Sequence, residues 1–402
     1  MTQPLDSLPR QRTVFDDWRS IGISLYMALV GYGVLVGIPV ISTAWVTLLG
    51  FSEVEVGRVA GADLGGLSAG AIMVSLVVAR FNRRYLAAAG VALAVLANAL
   101  CTVFVDYEQV LWLRVLAGVG SGIYTAVAVT TLGGTSRPAR AFNMLLFAFA
   151  FSQALEMHVL PQLSMNGIYT VFIVCYLITL PFLGWIPPRP VPRPALSEPL
   201  PERNDELPQR SLSPAVVWLC LAAIFVTYIN IGAYWTYIEL ASLAAGVAED
   251  WIGRILVWAS FLSIAGCLFA TIVSNRFGLA QPLLLSLVIM AWIVGMLSSG
   301  INSSNILVSV FMFNFLWIFI DVYQMATVAN VDPSGRFTAL MPGAQGLGQI
   351  VGPNLAASLL AAGLGYNAVF VMCAVAYLVA MMIYGFMYLR LRRVHPALAD
   401  AS

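Results

Sequence analysis

The chain has 402 residues, of which 60% are hydrophobic and only 10% charged, against about 25% charged in an ordinary soluble domain. That leaves too little polar surface to clothe a water-soluble particle, so most of the exterior must face lipid. A net charge of +1 offers no footprint for nucleic acid, and the five cysteines lie at irregular spacings in apolar stretches, which excludes a disulfide framework or a zinc site.

In chain order, residues 1–19 are polar and read as a cytoplasmic tail without a cleavable signal. Six apolar segments follow, at about 20–48, 56–79, 85–105, 109–133, 141–163 and 167–186, each long enough to cross a bilayer as a helix. Residues 187–213 are rich in proline, including Pro187, Pro188, Pro190, Pro192 and Pro194, and carry mixed charge. Such a stretch cannot bury enough apolar surface to fold alone and is expected to be a cytoplasmic linker. Six more segments lie at about 214–245, 252–275, 279–299, 304–330, 337–362 and 366–389, before a short tail, 390–402. Segment length and the lack of strict alternation favour helices over barrel strands. The expected fold is therefore all-α, with twelve transmembrane helices in two six-helix halves, 20–186 and 214–389.

The two halves repeat. At an offset of 196 positions Tyr32 is matched by Tyr228, Gly50 by Gly246, Glu53 by Glu249, Gly57-Arg58 by Gly253-Arg254, Gly70 by Gly266, Arg80-Phe81 by Arg276-Phe277, Arg140 by Arg336 and Gln153 by Gln349. Internal repeats of this kind build many secondary transporters. Arginine placement orients the chain. Arg80, Arg83, Arg84, Arg137, Arg140, Arg276 and Arg336, with the linker and tail arginines, fall on the side of the termini, whereas Glu53, Asp106, Glu108, Glu249 and Asp250 fall on the other. The positive-inside rule then places both termini in the cytoplasm, with Arg58 and Arg254 as anchors near the outer boundary.

Ionisable residues inside spans are costly and are candidates for function. Six stand out: Asp63, Arg114, Glu156, His158, Glu239 and Asp321. All but Asp321 lie within about 8–10 Å of the outer end of their spans at 1.5 Å per residue. Arg114 cannot shed its proton and needs an acidic partner, for which Asp63 is the first choice and Glu156 the second. Asp63, Arg114, Glu156, His158 and Glu239 form the candidate proton-coupling set. Glu156 and His158 are two residues apart, so they cannot both face one cavity on a regular helix. Nothing points to catalysis, since no phosphate-binding glycine loop, metal cluster or nucleophile–base spacing is present.

The six-plus-six repeat with its central linker resembles the major facilitator superfamily over roughly residues 20–390. Two local motifs carry the likeness. After the second span the chain reads Arg80, Arg83 and Arg84 in the family's basic loop, with Ala79 and Asn82 replacing its Asp and second Gly. On the fourth span Arg114 is followed by Gly118, Gly120 and Gly122. The resemblance implies gating by the three loop arginines and proton coupling through Arg114. The family's antiporter Gly-Pro motif is missing from the fifth span, where the offset from Gly352-Pro353-Asn354 gives Glu156-Met157-His158.

The resemblance also implies that the first and seventh helices line a central cavity. Candidate solute contacts are then Tyr32, Arg114, Tyr124, Gln153, Tyr228, Asn230, Tyr234, Trp235, Glu239, Asp321, Tyr323 and Gln324. The expected activity is proton-coupled alternating-access transport of a small organic solute, an organic or aromatic anion if Arg114 is free to bind it. The alternative is proton-coupled efflux of a drug or metabolite through an acid-lined pocket. A lipid flippase or a membrane receptor on the same fold is the remaining reading. The expected partners are solute, protons and lipid, without cofactor, metal or nucleic acid, and the protein is expected to be a monomer of the plasma (inner) membrane.

Overall fold

The computed structural model describes residues 13–78, 80–188, 214–332 and 340–394. The linker beyond Pro188, the last eight residues and the segment containing Arg336 lie outside the described residues. Described secondary structure is helical throughout. The first half contains α1 (Trp18–Gly31), α2 (Gly33–Leu49), α3 (Glu53–Val77), α4 (Arg83–Cys101), α5 (Tyr107–Gly133), α6 (Pro138–Val159) and α7 (Met165–Ile178). The second contains α8 (Pro214–Ala244), α9 (Glu249–Ser260), α10 (Leu262–Phe277), α11 (Ala280–Gly295), α12 (Ser303–Val331), α13 (Met341–Ala361) and α14 (Gly365–Val394).

Two expected spans are each built from two helices. The first breaks at Tyr32, where the Gly31 carbonyl accepts from the Ser121 hydroxyl of α5. The eighth breaks at Phe261, between α9 and α10. Among the described residues, eleven segments are long and apolar enough to cross a membrane. The twelfth, α13, has spanning length but dilutes its hydrophobicity with glycines, Gln345, Gln349 and Asn354. It can carry them because that side of the helix packs between α8 and α3, while Leu347 and Leu355 take the exposed side.

Local chemistry sets the ends. Ser52 and Glu55 form a capping box at the start of α3, with the Ser52 amide donating to Glu55 at 2.8 Å. Asn82 caps α4 and Asn302 caps α12. The repeat-related Gly50 and Gly246 both take φ near +75° (73° and 79°), the left-handed turn that follows a helix and that glycine adopts without strain.

Glycines also set helix spacing. Gly66 and Gly70 on α3 face Gly118 and Gly122 on α5, so backbone lies directly on backbone. A Cβ at Gly118 would lie 2.9 Å from the Leu67 amide nitrogen, and one at Gly66 2.8 Å from that of Val119. Helix association in lipid rests on such small-residue contacts because there is no hydrophobic effect between helices there. Conversely, Trp112, Trp258 and Trp292 remain 64–68% exposed, as a lipid-facing exterior requires.

Candidate solute and proton site

The close α3–α5 packing brings Arg114 to Asp63. Arg114 Nε donates to Asp63 Oδ2 at 2.6 Å, Nη2 pairs with the same oxygen, and Nη1 donates to Asn98 Oδ1 at 2.8 Å. The Tyr169 ring lies 5.8 Å from the guanidinium. Every partner belongs to the first half, and Arg114 and Asp63 are each only 2% exposed. Arg114 is thus enclosed within one bundle and does not open onto the space between the halves, where a solute contact would place it. The glycines that follow it are packing residues that make this pair possible.

Other candidates sort in the same way. Tyr124 is buried in the first half, its hydroxyl 2.5 Å from Thr179. Within the second half, Asn230 donates to the Cys373 carbonyl, Tyr234 bonds to Ser309 and stacks on Phe313, and Tyr323 packs on Phe319. His158 is exposed on the outer surface of α6, away from both Glu156 and the seam between halves. The five ionisable groups of similar depth therefore do not converge on one site.

A smaller set does meet between the halves. Trp235 Nε1 donates to the Val36 carbonyl at 3.1 Å, and Gln153 donates to Asn314 Oδ1 at 3.0 Å. Glu239 interacts with Thr43 across the same seam. Nearer the face that holds Gly50 and Gly246, Tyr237 donates to the Glu53 carbonyl, and Arg58 donates to Asn354 Oδ1 at 2.9 Å, to its carbonyl at 3.3 Å and to Ser358 Oγ at 3.0 Å. Arg58, expected to be a boundary anchor, is a clasp between α3 and α13. Replacing it with Ala should raise the maleimide-labelling rate of a cysteine placed at buried Ala357 roughly tenfold or more, since a hydrogen bond to a charged group is worth about 1.5–3 kcal/mol. An unchanged rate would show that the clasp does not hold the seam.

The centre of the second half carries the best-formed polar cluster. Asp321 Oδ1 accepts from the Tyr228 hydroxyl at 2.8 Å and from Gln345 Nε2 at 2.8 Å, and Gln345 also donates to Tyr228 at 2.9 Å. Asp321 and Tyr228 line a narrow crevice, too tight for a water molecule, together with Thr227, Ile231, Trp317 and Gln324. Gln324 donates to Thr227 at 2.9 Å. Tyr32, at the break between α1 and α2, packs tilted against Phe149, with ring centroids 5.5 Å apart, and lies in electrostatic range of Asp321 from the opposite half. Solute pockets commonly measure about 300–1,000 Å³, so in this conformation the crevice is closed to a solute.

Gln345 and Trp317 escaped the sequence reading. Gln345 lies four residues before Gln349, a residue of the repeat, and its place on the glutamine-bearing face of α13 is the signal that could have exposed it. Trp317 sits in an aromatic run on α12 with no distinguishing spacing.

At the N-terminal face, Arg83 and Arg84 bond within the first half. The Arg83 guanidinium lies 4.7 Å over the Phe15 ring and donates to Thr131, while Arg84 donates to the Ile186 and Gly184 carbonyls at 2.7 Å. Arg80 is exposed. Asp16 completes this dock by accepting from the amide and hydroxyl of Ser136 at 2.8 and 2.9 Å. Burial works to raise its carboxyl, but these hydrogen bonds and those from Thr13 hold it below the usual carboxylate value. No group of three or more metal-ligating side chains occurs among the described residues.

The chain matches the family model described as Major Facilitator Superfamily over residues 21–353. No curated protein sequence matches it. Similar solved structures include a D-xylose-proton symporter (TM-score 0.70, 15% identity, covering 92% of this chain and 97% of that one). A nucleoside transporter, NupG, aligns with TM-score 0.68 and 13% identity over 92% of this chain and 99% of its own. A bacterial homolog of the human lysosomal transporter Spinster, in an inward-facing and unoccupied conformation, aligns with TM-score 0.66 and 14% identity over 92% and 97%. At these identities the structures establish the fold alone, and the family match establishes the rest. The chain is an integral multi-pass membrane protein that belongs to the Major Facilitator Superfamily, a transporter rather than an enzyme.

Proposed function

We propose that this transporter couples protons to the movement of a neutral or cationic small organic solute, bound between the halves beside Asp321, Tyr228, Gln345 and Tyr32. The observation that carries this reading is the enclosure of Arg114. Its guanidinium is committed to Asp63 and Asn98, whereas Asp321, Glu239 and Glu156 take their described hydrogen bonds from uncharged groups. An organic anion entering this space would meet acids and aromatic faces, and none of the described residues that line it is a cation. A polyol, a nucleoside-like solute or an organic amine would meet hydrogen-bonding tips and π faces suited to it. The arginine bias supports an inner-membrane orientation with both termini cytoplasmic. The seam is then closed on the outer side, and alternating access would part it at α2–α8 and α3–α13.

The test uses purified full-length protein in liposomes loaded with a pH-sensitive dye, offered D-xylose, uridine, tyramine or benzoate in turn. The expected result is proton flux with one of the first three and none with benzoate, and loss of that flux in Asp321→Asn. Benzoate-driven flux, or a fully active Asp321→Asn variant, would overturn the assignment.

A further inference from the structure

We propose that Glu156 is a proton-binding site built into the break of the first transmembrane segment, and that its protonation closes the two halves over the outer face. This rests on the proton-coupled reading above and adds a residue and a moving part to it. Glu156 lies on α6 with its carboxyl group laid against α2. A Cβ at Gly37 would lie 2.8 Å from Oε2, so Gly37 makes the room that the carboxyl fills, while Gly33 lies beside it against the Phe172 ring, with Oε1 at contact distance, 3.4 Å. Ser152 donates to Oε1 at 3.3 Å, and Oε2 is fully buried with no hydrogen-bond partner among the described residues.

The repeat reveals that this pocket is a departure from symmetry. The position equivalent to Glu156 is Gly352, and those equivalent to Gly33 and Gly37 are Ile229 and Ala233. In the second half Gly352 packs directly on the α8 backbone, where a Cβ would lie 2.8 Å from the Ala233 amide nitrogen. The same helix contact has thus exchanged its large and small partners, placing glycines on the first segment and a carboxyl on the fifth. One glycine at this contact is enough for packing. Here Gly37 opens a chamber for the carboxyl and Gly33 makes room for the Phe172 ring beside it.

The groups around the chamber leave a proton as its occupant. The titratable neighbour that interacts with Glu156 is the Cys175 thiol on α7, whose carbonyl accepts from Tyr26 of α1. On α2 the chamber presents glycine and aliphatic surface, on α5 Arg114 is turned into Asp63, and Arg254 on α9 is exposed. Two carboxyl oxygens and one hydroxyl are too few for a sodium or calcium ion. Glu156 is half-buried, and its carboxyl has no donor among the described residues beyond the single long Ser152 contact to Oε1, so in this proposal the carboxyl holds a proton while α2 lies against it and releases it when water enters a parted chamber. The chamber wall is the mobile element. α2 begins at the Tyr32 break and carries both the Val36 carbonyl that Trp235 grips and the Thr43 that meets Glu239.

Hydrogen–deuterium exchange of full-length protein in detergent, read on peptides covering residues 26–40 from about pH 5 to about pH 9 and corrected for intrinsic exchange, tests this. One linked proton gives at most about tenfold per pH unit, and wild type is expected to approach that slope through its transition, with exchange rising as pH rises. Glu156→Gln should stay at the low-exchange level across the range. Gly37→Ala, which crowds the carboxyl out of the chamber, should move the transition to lower pH. Asp321→Asn and Glu239→Gln should keep it. A transition that survives in Glu156→Gln, or that vanishes in Asp321→Asn instead, would overturn the proposal. The liposome measurement separates the two readings. A transition lost in Glu156→Gln without proton-driven uptake of any solute leaves this site standing and sinks the coupling, whereas uptake without such a transition does the reverse.

Discussion

Replacing Asp63 with Asn is expected to cost about 3–5 kcal/mol, because it strands a buried guanidinium that cannot shed its proton. The loss should appear as poor membrane insertion and a thermal transition many degrees lower in detergent. Arg114→Gln should cost less, since Asp63 without its cation can neutralise itself by taking up a proton. Combining the two should recover much of the stability of either single variant, because two neutral amides can bond to each other and to Asn98 without a buried charge. Strictly additive thermal shifts would mean that the pair contributes no coupling energy. Full transport by the stable double variant would assign Arg114 and Asp63 to architecture, and transport lost at restored stability would make the pair part of the transport cycle.

Gly118→Val should be comparably damaging for a different reason. The new side chain would drive into the Asp63 carbonyl and the Leu67 amide on α3, where helices already touch backbone to backbone. Overpacking of this kind costs about 1–3 kcal/mol and more where backbone cannot yield. Because Gly118 lies one turn from Arg114, spreading α3 from α5 also lengthens the ion pair. Gly118→Ala should be milder but still destabilising, while Gly253→Ala, where nothing lies within 4 Å of the new methyl group, should be neutral or slightly stabilising. Measured melting temperatures of the three variants check this ordering. Equal effects at Gly118 and Gly253 would refute the packing argument.

Gly253 also exposes the limit of reading by repeat. Gly57-Arg58 and Gly253-Arg254 look equivalent in sequence, yet Gly57 lies against α13, where a Cβ would come within 2.8 Å of the Pro353 carbonyl, and Arg58 clasps Asn354 and Ser358. Gly253 and Arg254 meet no such neighbour. The positions equivalent to Asn354 and Ser358 are His158 and Gln162, and His158 stays exposed. Duplication fixes the order of helices, but each half then packs against a different surface.

By itself the chain determines the consequences of its composition and periodicity. Apolar length forces helices across lipid, the 196-residue offset forces two similar bundles, and a buried arginine forces an acidic partner, so the spans, the repeat and the Arg114–Asp63 pair were all legible. Side-chain direction was not. Which face of α5, α8 or α12 looks between the halves depends on how glycines bring the helices together, and helices of low amphipathicity in lipid carry no hydrophobic stripe to announce it. Only the tertiary structure could turn Arg114 and Tyr124 inward, leave His158 outside, bring Gln345 from α13 to Asp321, and set Glu156 against the two glycines of α2.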